Sequence, residues 1–184
     1  MGTLFGKNIL IIIPKNQFCE KELYGLRSFL EQQGGHVVVL SKSGKEARGM
    51  NKDRFQPDGM IIDWNKQPGV NGKYHAVIVL GGKGARKSLW DDPIIPQILT
   101  DHSRYGSVIG AVGSALVVLV RTSLVVSEIP LPKDASTRTE LESLSAVCID
   151  TPVVTFDNIV LGQGSASIDL FAQKMINLIR KERC

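Results

Sequence analysis

Short apolar runs with almost no polar interruption alternate along the chain with longer segments whose apolar residues return every three or four positions. The runs Asn8–Ile13, His36–Leu40, Tyr74–Leu80 and Ser107–Val112 are short and rich in Val and Ile. That pattern predicts parallel strands covered on both faces. Leu23, Leu26 and Leu30 set a helix over Lys21–Gln33, which Gly34-Gly35 stops. Asp92 followed by Pro93 opens a second helix, with Pro96 still in its first turn. Helical segments also follow at Ala115–Val120 and at the polar stretch Asp134–Ser145, where Leu141 and Leu144 turn inward. The closing helix, Ile168–Ile179, puts Ile168, Phe171, Met175 and Leu178 on one face. Short strands are predicted at Leu124–Val126, Val147–Ile149, Val153–Phe156 and Ile159–Leu161. Between Ser41 and Lys73 no period holds, and only Gly59–Ile62 reads as a short strand.

Strands alternating with helices predict an α/β fold, a mostly parallel sheet in three layers with helices on both faces. No repeat or linker divides the chain, so residues 1–184 read as a single domain. In such sheets, sites form beyond the carboxyl ends of the strands. The turns Lys15–Glu22, Gly81–Ala85, Val112–Ser114 and Gly162–Ser167 are therefore expected to converge.

The chain has 43% hydrophobic and 22% charged residues over 184 positions, which adds nothing unusual to this picture. A net charge of +4 is mild, and no basic run is interleaved with aromatics, so nucleic acid is not an expected partner. The run Val108–Val126 is broken by Gly110, Gly113, Ser114, Arg121 and Thr122, so no membrane span is expected. Ile9–Ile13 is too short for a signal segment. Cys19, Cys148 and Cys184 are an odd count without metal-ligand spacing, which predicts a reducing cytoplasm and neither metal nor cofactor.

The glycine turn Gly81–Ala85 lacks the full spacing of a phosphate-binding loop, and its amides are instead candidates for half of an oxyanion hole. Lys83, Arg86 and Lys87 follow it, and Arg48, Lys52 and Arg54 lie in the irregular segment. Either these cations border one pocket and bind an anionic small molecule, or they form a solvated rim.

At these residues the chain resembles the DJ-1/PfpI (ThiJ/PfpI) superfamily, which is class I glutamine amidotransferase-like. Tyr74–Gly82, then Gly84-Ala85 and Asp92-Pro93, resemble the segment around that family's glycine pair. Ser107–Ala115 resembles its nucleophile-elbow strand and turn, Pro130–Asp134 a following loop, and Pro152–Ala166 its C-terminal hairpin and the start of the last helix. Glu22 falls where the family carries a buried glutamate. The resemblance implies a flavodoxin-like sandwich, a homodimer, and an elbow cysteine hydrogen-bonded by the glutamate. It covers peptidases, deglycases, glyoxalases, isocyanide hydratases, chaperones and oxidative-stress proteins.

The departures bear directly on chemistry. The elbow position reads as Val112, followed by Gly113 instead of histidine; a later pocket histidine reads as Ile129, and an arginine as Gln163. Valine cannot attack a carbonyl or be oxidised. Because the family's elbow residue takes positive φ, Val112 is expected to relax to negative φ, with Gly113 taking any unusual dihedral. The expectation is a pseudoenzyme that binds or assembles around a degenerate pocket of Glu22, Gly82, Val112 and Gly113. Alternatives are a family-type enzyme acting on a small carbonyl compound through Cys19 or Glu22, and a stress-related holdase. Ser114 is a weaker candidate nucleophile, since no histidine lies in the elbow sequence. A pocket filled by the valine favours scaffolding, and an open one favours a ligand.

Overall fold

The computed structural model describes residues 2–125 and 128–182. Its first half comprises β1 (Asn8–Ile12), α1 (Glu20–Gln32), β2 (His36–Ser41), the hairpin β3 (Ala47–Arg48) and β4 (Arg54–Phe55), then β5 (Gly59–Met60) and β6 (Ala76–Val79). The second half comprises α2 (Ala85–Ser88), α3 (Ile94–Tyr105), β7 (Val108–Val112), α4 (Leu116–Arg121), β8 (Ile129–Pro130), α5 (Ala135–Ser143), β9 (Cys148–Ile149), β10 (Val153–Phe156), β11 (Ile159–Gly162) and α6 (Ile168–Lys181). Seven strands form one sheet in the order β10-β11-β7-β6-β1-β2-β5. All neighbours are parallel except β10 and β11.

The continuous apolar runs are explained by the two cores they serve. Ile9, Ile11, Ile78 and Val160 face one layer, packing with Leu23, Leu26 and Leu30 of α1 and Phe171, Met175 and Ile179 of α6. Leu10, Ile12, Val77, Val79 and Leu161 face the other, against Ile95, Ile98 and Leu99 of α3, Leu116 and Leu119 of α4, and Leu141 of α5. Successive strand residues point to opposite faces, so a strand buried on both has no polar position to spare.

Several boundaries differ from the sequence reading. Leu124 and Val125 are not in a strand and Val126 lies outside the described residues; the short strand is instead Ile129–Pro130, paired in parallel with Cys148–Ile149. Cys184 also lies outside the described residues. The helix expected from Asp92 starts at Ile94, with Asp92 Oδ1 accepting from the Ile94 and Ile95 amides at 2.8 and 3.2 Å. The unforeseen α2 precedes it. On α6 the buried stripe runs through Ala172 and Ile179, leaving Leu178 only half-buried. No helix among the described residues is long and apolar enough to cross a membrane.

Candidate functional site

The four expected turns meet at the carboxyl ends of β1, β6, β7 and β11, around a cavity of about 530 Å³. The first turn contributes Cys19 and Glu22, the second Gly82 and Lys83, the third Gly113 and Ser114, and the fourth Gln163 to Ser167. Gly82 lets the second turn approach the first. Its φ is +133°, and a Cβ there would come within 2.8 Å of the Cys19 nitrogen and the Phe18 Cα. The Cys19 amide donates to the Gly81 carbonyl at 3.1 Å across the same crossing.

Glu22 stands behind this junction, 4% exposed, on the first turn of α1. Its Oε2 accepts from the Gly81 amide at 2.8 Å. Burial raises its carboxyl from 4.5 to about 7, the Gly81 hydrogen bond only partly opposing the shift. Near neutral pH this carboxyl is therefore populated in both its protonated form, which can donate, and its ionised form, which only accepts.

Val112 is extended, with φ −133° and ψ 136°, and Gly113 has φ +60°. The dihedral expectation is met, but the elbow itself falls one residue later than the sequence reading put it. Val112 is the last residue of β7, fully buried on the α1/α6 side of the sheet. Its two methyls lie 3.2 and 3.4 Å from where a Cβ on Gly162 would stand. It does not line the cavity. A Cβ on Gly113 would lie 3.1 Å from Glu22 Oε1, so the residue at the bend beside the glutamate is Gly113, which offers no side chain at all. Val112→Ala is expected to cost about 2 kcal/mol of stability through lost packing and to leave the cavity unchanged. Urea unfolding checks the first part, and an unchanged midpoint would contradict the burial.

The other candidates divide. The Cys19 thiol lines the cavity at the N-cap of α1, but burial pushes its pKa up and the negative charge of Glu22 adds to the shift. That is opposite to the activation expected from a helix terminus. Ser114 Oγ accepts from the Gly82 amide and donates to the Gly82 carbonyl, both at 2.9 Å. Its proton is thus directed to a backbone carbonyl, and the side chain ties down the glycine turn. Of the amides of the Gly81–Ala85 turn proposed for half of an oxyanion hole, those of Gly81 and Gly82 are occupied, by Glu22 and Ser114. Ile129 is buried in β8, outside the cavity. Gln163 Nε2 bridges the Leu131 carbonyl and Asp150 Oδ1 at 2.9 and 3.0 Å, a staple between loops.

Of the expected cationic rim, Lys83 and Arg86 line the cavity and Lys87 does not. Arg48 and Lys52 border a separate depression, and Arg54 lies in the β3–β4 hairpin. Sequence reasoning missed Met50, Trp90, Lys133 and the first turn of α5, all of which line the same space. Lys133 was legible as a charge within the Pro130–Asp134 motif. Met50 carried no signal, because its segment has no period.

A mostly parallel three-layer sheet, a left-handed bend at the end of an inner strand and a buried carboxyl beside it define an α/β protein whose site gathers at the carboxyl ends of its strands. The chain belongs to the DJ-1/PfpI family, whose profile residues 7–178 match. It is 25% identical over 180 residues to an uncharacterized protein of Methanocaldococcus jannaschii, covering 96% of this chain and 83% of that one. It is 24% identical over 176 residues to the glutathione-independent glyoxalase DJR-1.2 of Caenorhabditis elegans, covering 94% and 89%. Among solved structures, a ThiJ/PfpI domain protein from Brachyspira murdochii superposes with a TM-score of 0.84 at 19% identity, over 98% of this chain and 99% of that one. Drosophila melanogaster DJ-1beta superposes with a TM-score of 0.77 at 22% identity, over 99% and 92%.

Proposed function

We propose that this protein is a non-catalytic member of its family that binds a small molecule in the cavity around Glu22 and Gly113. The observation that carries the reading is the open volume of about 530 Å³ with no activated nucleophile on its wall. Its size lies within the range of pockets that enclose small ligands. A filled pocket would have argued for scaffolding alone. The reading includes a homodimer in a reducing cytoplasm, in keeping with the free thiols of Cys19 and Cys148.

Turnover assays with methylglyoxal and a generic peptide test this directly. Neither is consumed above background, and Cys19→Ala behaves as the wild type. Iodoacetamide labels Cys19 no faster than free cysteine, because its thiol is less ionised at neutral pH. Turnover lost in Cys19→Ala would overturn the reading in favour of a displaced nucleophile. A second reading has one observation behind it: a carboxyl titrating at about 7 suits proton transfer at neutral pH. Glu22 would then act as general acid and base on a small carbonyl compound. Methylglyoxal consumption that survives Cys19→Ala and disappears in Glu22→Gln would establish it.

A further inference from the structure

Lys83 and Lys133 reach the cavity from the turns before α2 and α5, and Arg86 from within α2. None of the three is ion-paired with a described residue. The Arg86 guanidinium lies 5.5 Å from the Trp90 ring centroid, and Trp90 is itself held by its Nε1–H donating to the Ser114 carbonyl at 2.8 Å. Arg86 is thus stacked on a fixed ring. Asp134, the acid beside them, is occupied by its own helix, with Oδ2 accepting from the Thr137 amide and hydroxyl at 2.8 and 2.6 Å. The adjoining wall carries the first turn of α5, where Asp134 already takes the Thr137 amide, and the turn leading into α6, where the Ser167 and Ile168 amides donate to the Gly164 and Ser165 carbonyls.

Glu22 supplies the independent feature. It is 4% exposed, its Oε2 is taken by the Gly81 amide, and its Oε1 has no hydrogen-bond partner among the described residues. That oxygen faces the space where Gly113 lacks a side chain, bounded also by Gly164, whose Cα would lie 3.9 Å from a Cβ on Gly113.

We propose that the cavity takes a small organic anion held at two points, its charged head among Lys83, Arg86 and Lys133 and an uncharged carbonyl or hydroxyl oxygen against Glu22 Oε1. The ligand oxygen occupies the space left by the missing side chain of Gly113. The inference rests on the binding reading above and names its ligand class. Short hydroxy acids and small hydroxylated phosphate esters share this chemistry.

Calorimetry on the full chain at neutral pH tests it with two matched pairs, lactate against acetate and glycerol 3-phosphate against inorganic phosphate, with glycerol as the uncharged control. In at least one pair the hydroxylated anion binds and binds tighter than its partner, while glycerol does not bind. The variant Lys83→Ala/Arg86→Ala/Lys133→Ala weakens that anion by at least about tenfold, as expected for losing charge-assisted contacts. Lys87→Ala, which removes an exposed cation off the cavity wall, leaves binding unchanged. These surface substitutions spare the core, and circular dichroism checks the fold. Glycerol binding as well as the anions would overturn the charged head and leave the binding reading intact. Phosphate matching glycerol 3-phosphate and acetate matching lactate would overturn the contact to Glu22. No binding by any of the five, with turnover still absent, overturns the assignment; turnover of methylglyoxal overturns the underlying reading instead.

Discussion

Glu22→Gln stabilises the protein by about 3 kcal/mol at pH 8 and has little effect near pH 4. The carboxyl titrates at about 7 in the folded chain against an ordinary 4.5, because burial penalises its charged form. A folded-state pKa above the unfolded one means the native protein holds its proton longer. That contribution is fully present below about 4.5 and is lost as pH rises to and beyond about 7. Glutamine mimics the neutral acid at every pH and keeps an acceptor for the Gly81 amide, so its advantage appears only where Glu22 is charged. Urea unfolding of both proteins at several pH values between 4 and 8 provides the measurement. Glu182, also raised to about 7 by burial, contributes equally to both proteins and cancels in the difference. A gap between the two proteins that does not widen with pH would sink the claim.

Gly113→Cys introduces a reactive thiol. The Gly113 backbone already has φ +60°, and a Cβ built on it lies 3.1 Å from Glu22 Oε1, so the sulfur falls beside the carboxyl. A protonated Glu22 donates to the thiolate, and the helical turn beginning at Gly113 adds the positive end of its dipole. Iodoacetamide is expected to label residue 113 at least about tenfold faster than Cys19 in the same molecule, resolved peptide by peptide by mass spectrometry. The substitution costs about 1 kcal/mol, since a side chain is placed in the left-handed region. Val112→Cys serves as the opposite control. Its side chain belongs to the core, so a thiol there stays inert. Faster labelling at 112 than at 113 would return the elbow to the valine.

These two variants also separate what was legible in the chain from what was not. A buried glutamate at Glu22 was implied by the family resemblance, and the raised carboxyl follows from such burial; its hydrogen bond from the Gly81 amide was not legible in the chain. The one-residue error at the elbow has a physical origin. Val112 and Gly113 are adjacent, and a resemblance of apolar residues followed by a small one aligns with either. The parallel pairing of Gly162 with Val112 and the packing of the valine methyls over Gly162 decide which of them ends the strand. Similarly, the basic residues after the glycine turn are visible as a cluster. Only the course of the short α2 determines that Arg86 faces the cavity while Lys87 does not.

By itself, the sequence determined the layers, the succession of strands and helices, and the absence of a side-chain nucleophile at Val112 and Gly113. Apolar runs that must be buried on both faces admit few other arrangements, and neither Val112 nor Gly113 carries a nucleophile. The tertiary structure alone decided that the bend opens onto an unfilled cavity and that its wall includes Met50 and Lys133. Those residues come from loops far apart in the chain, and no local period or propensity encodes where such loops meet. Their meeting is set by the packing of the sheet and helices beneath them.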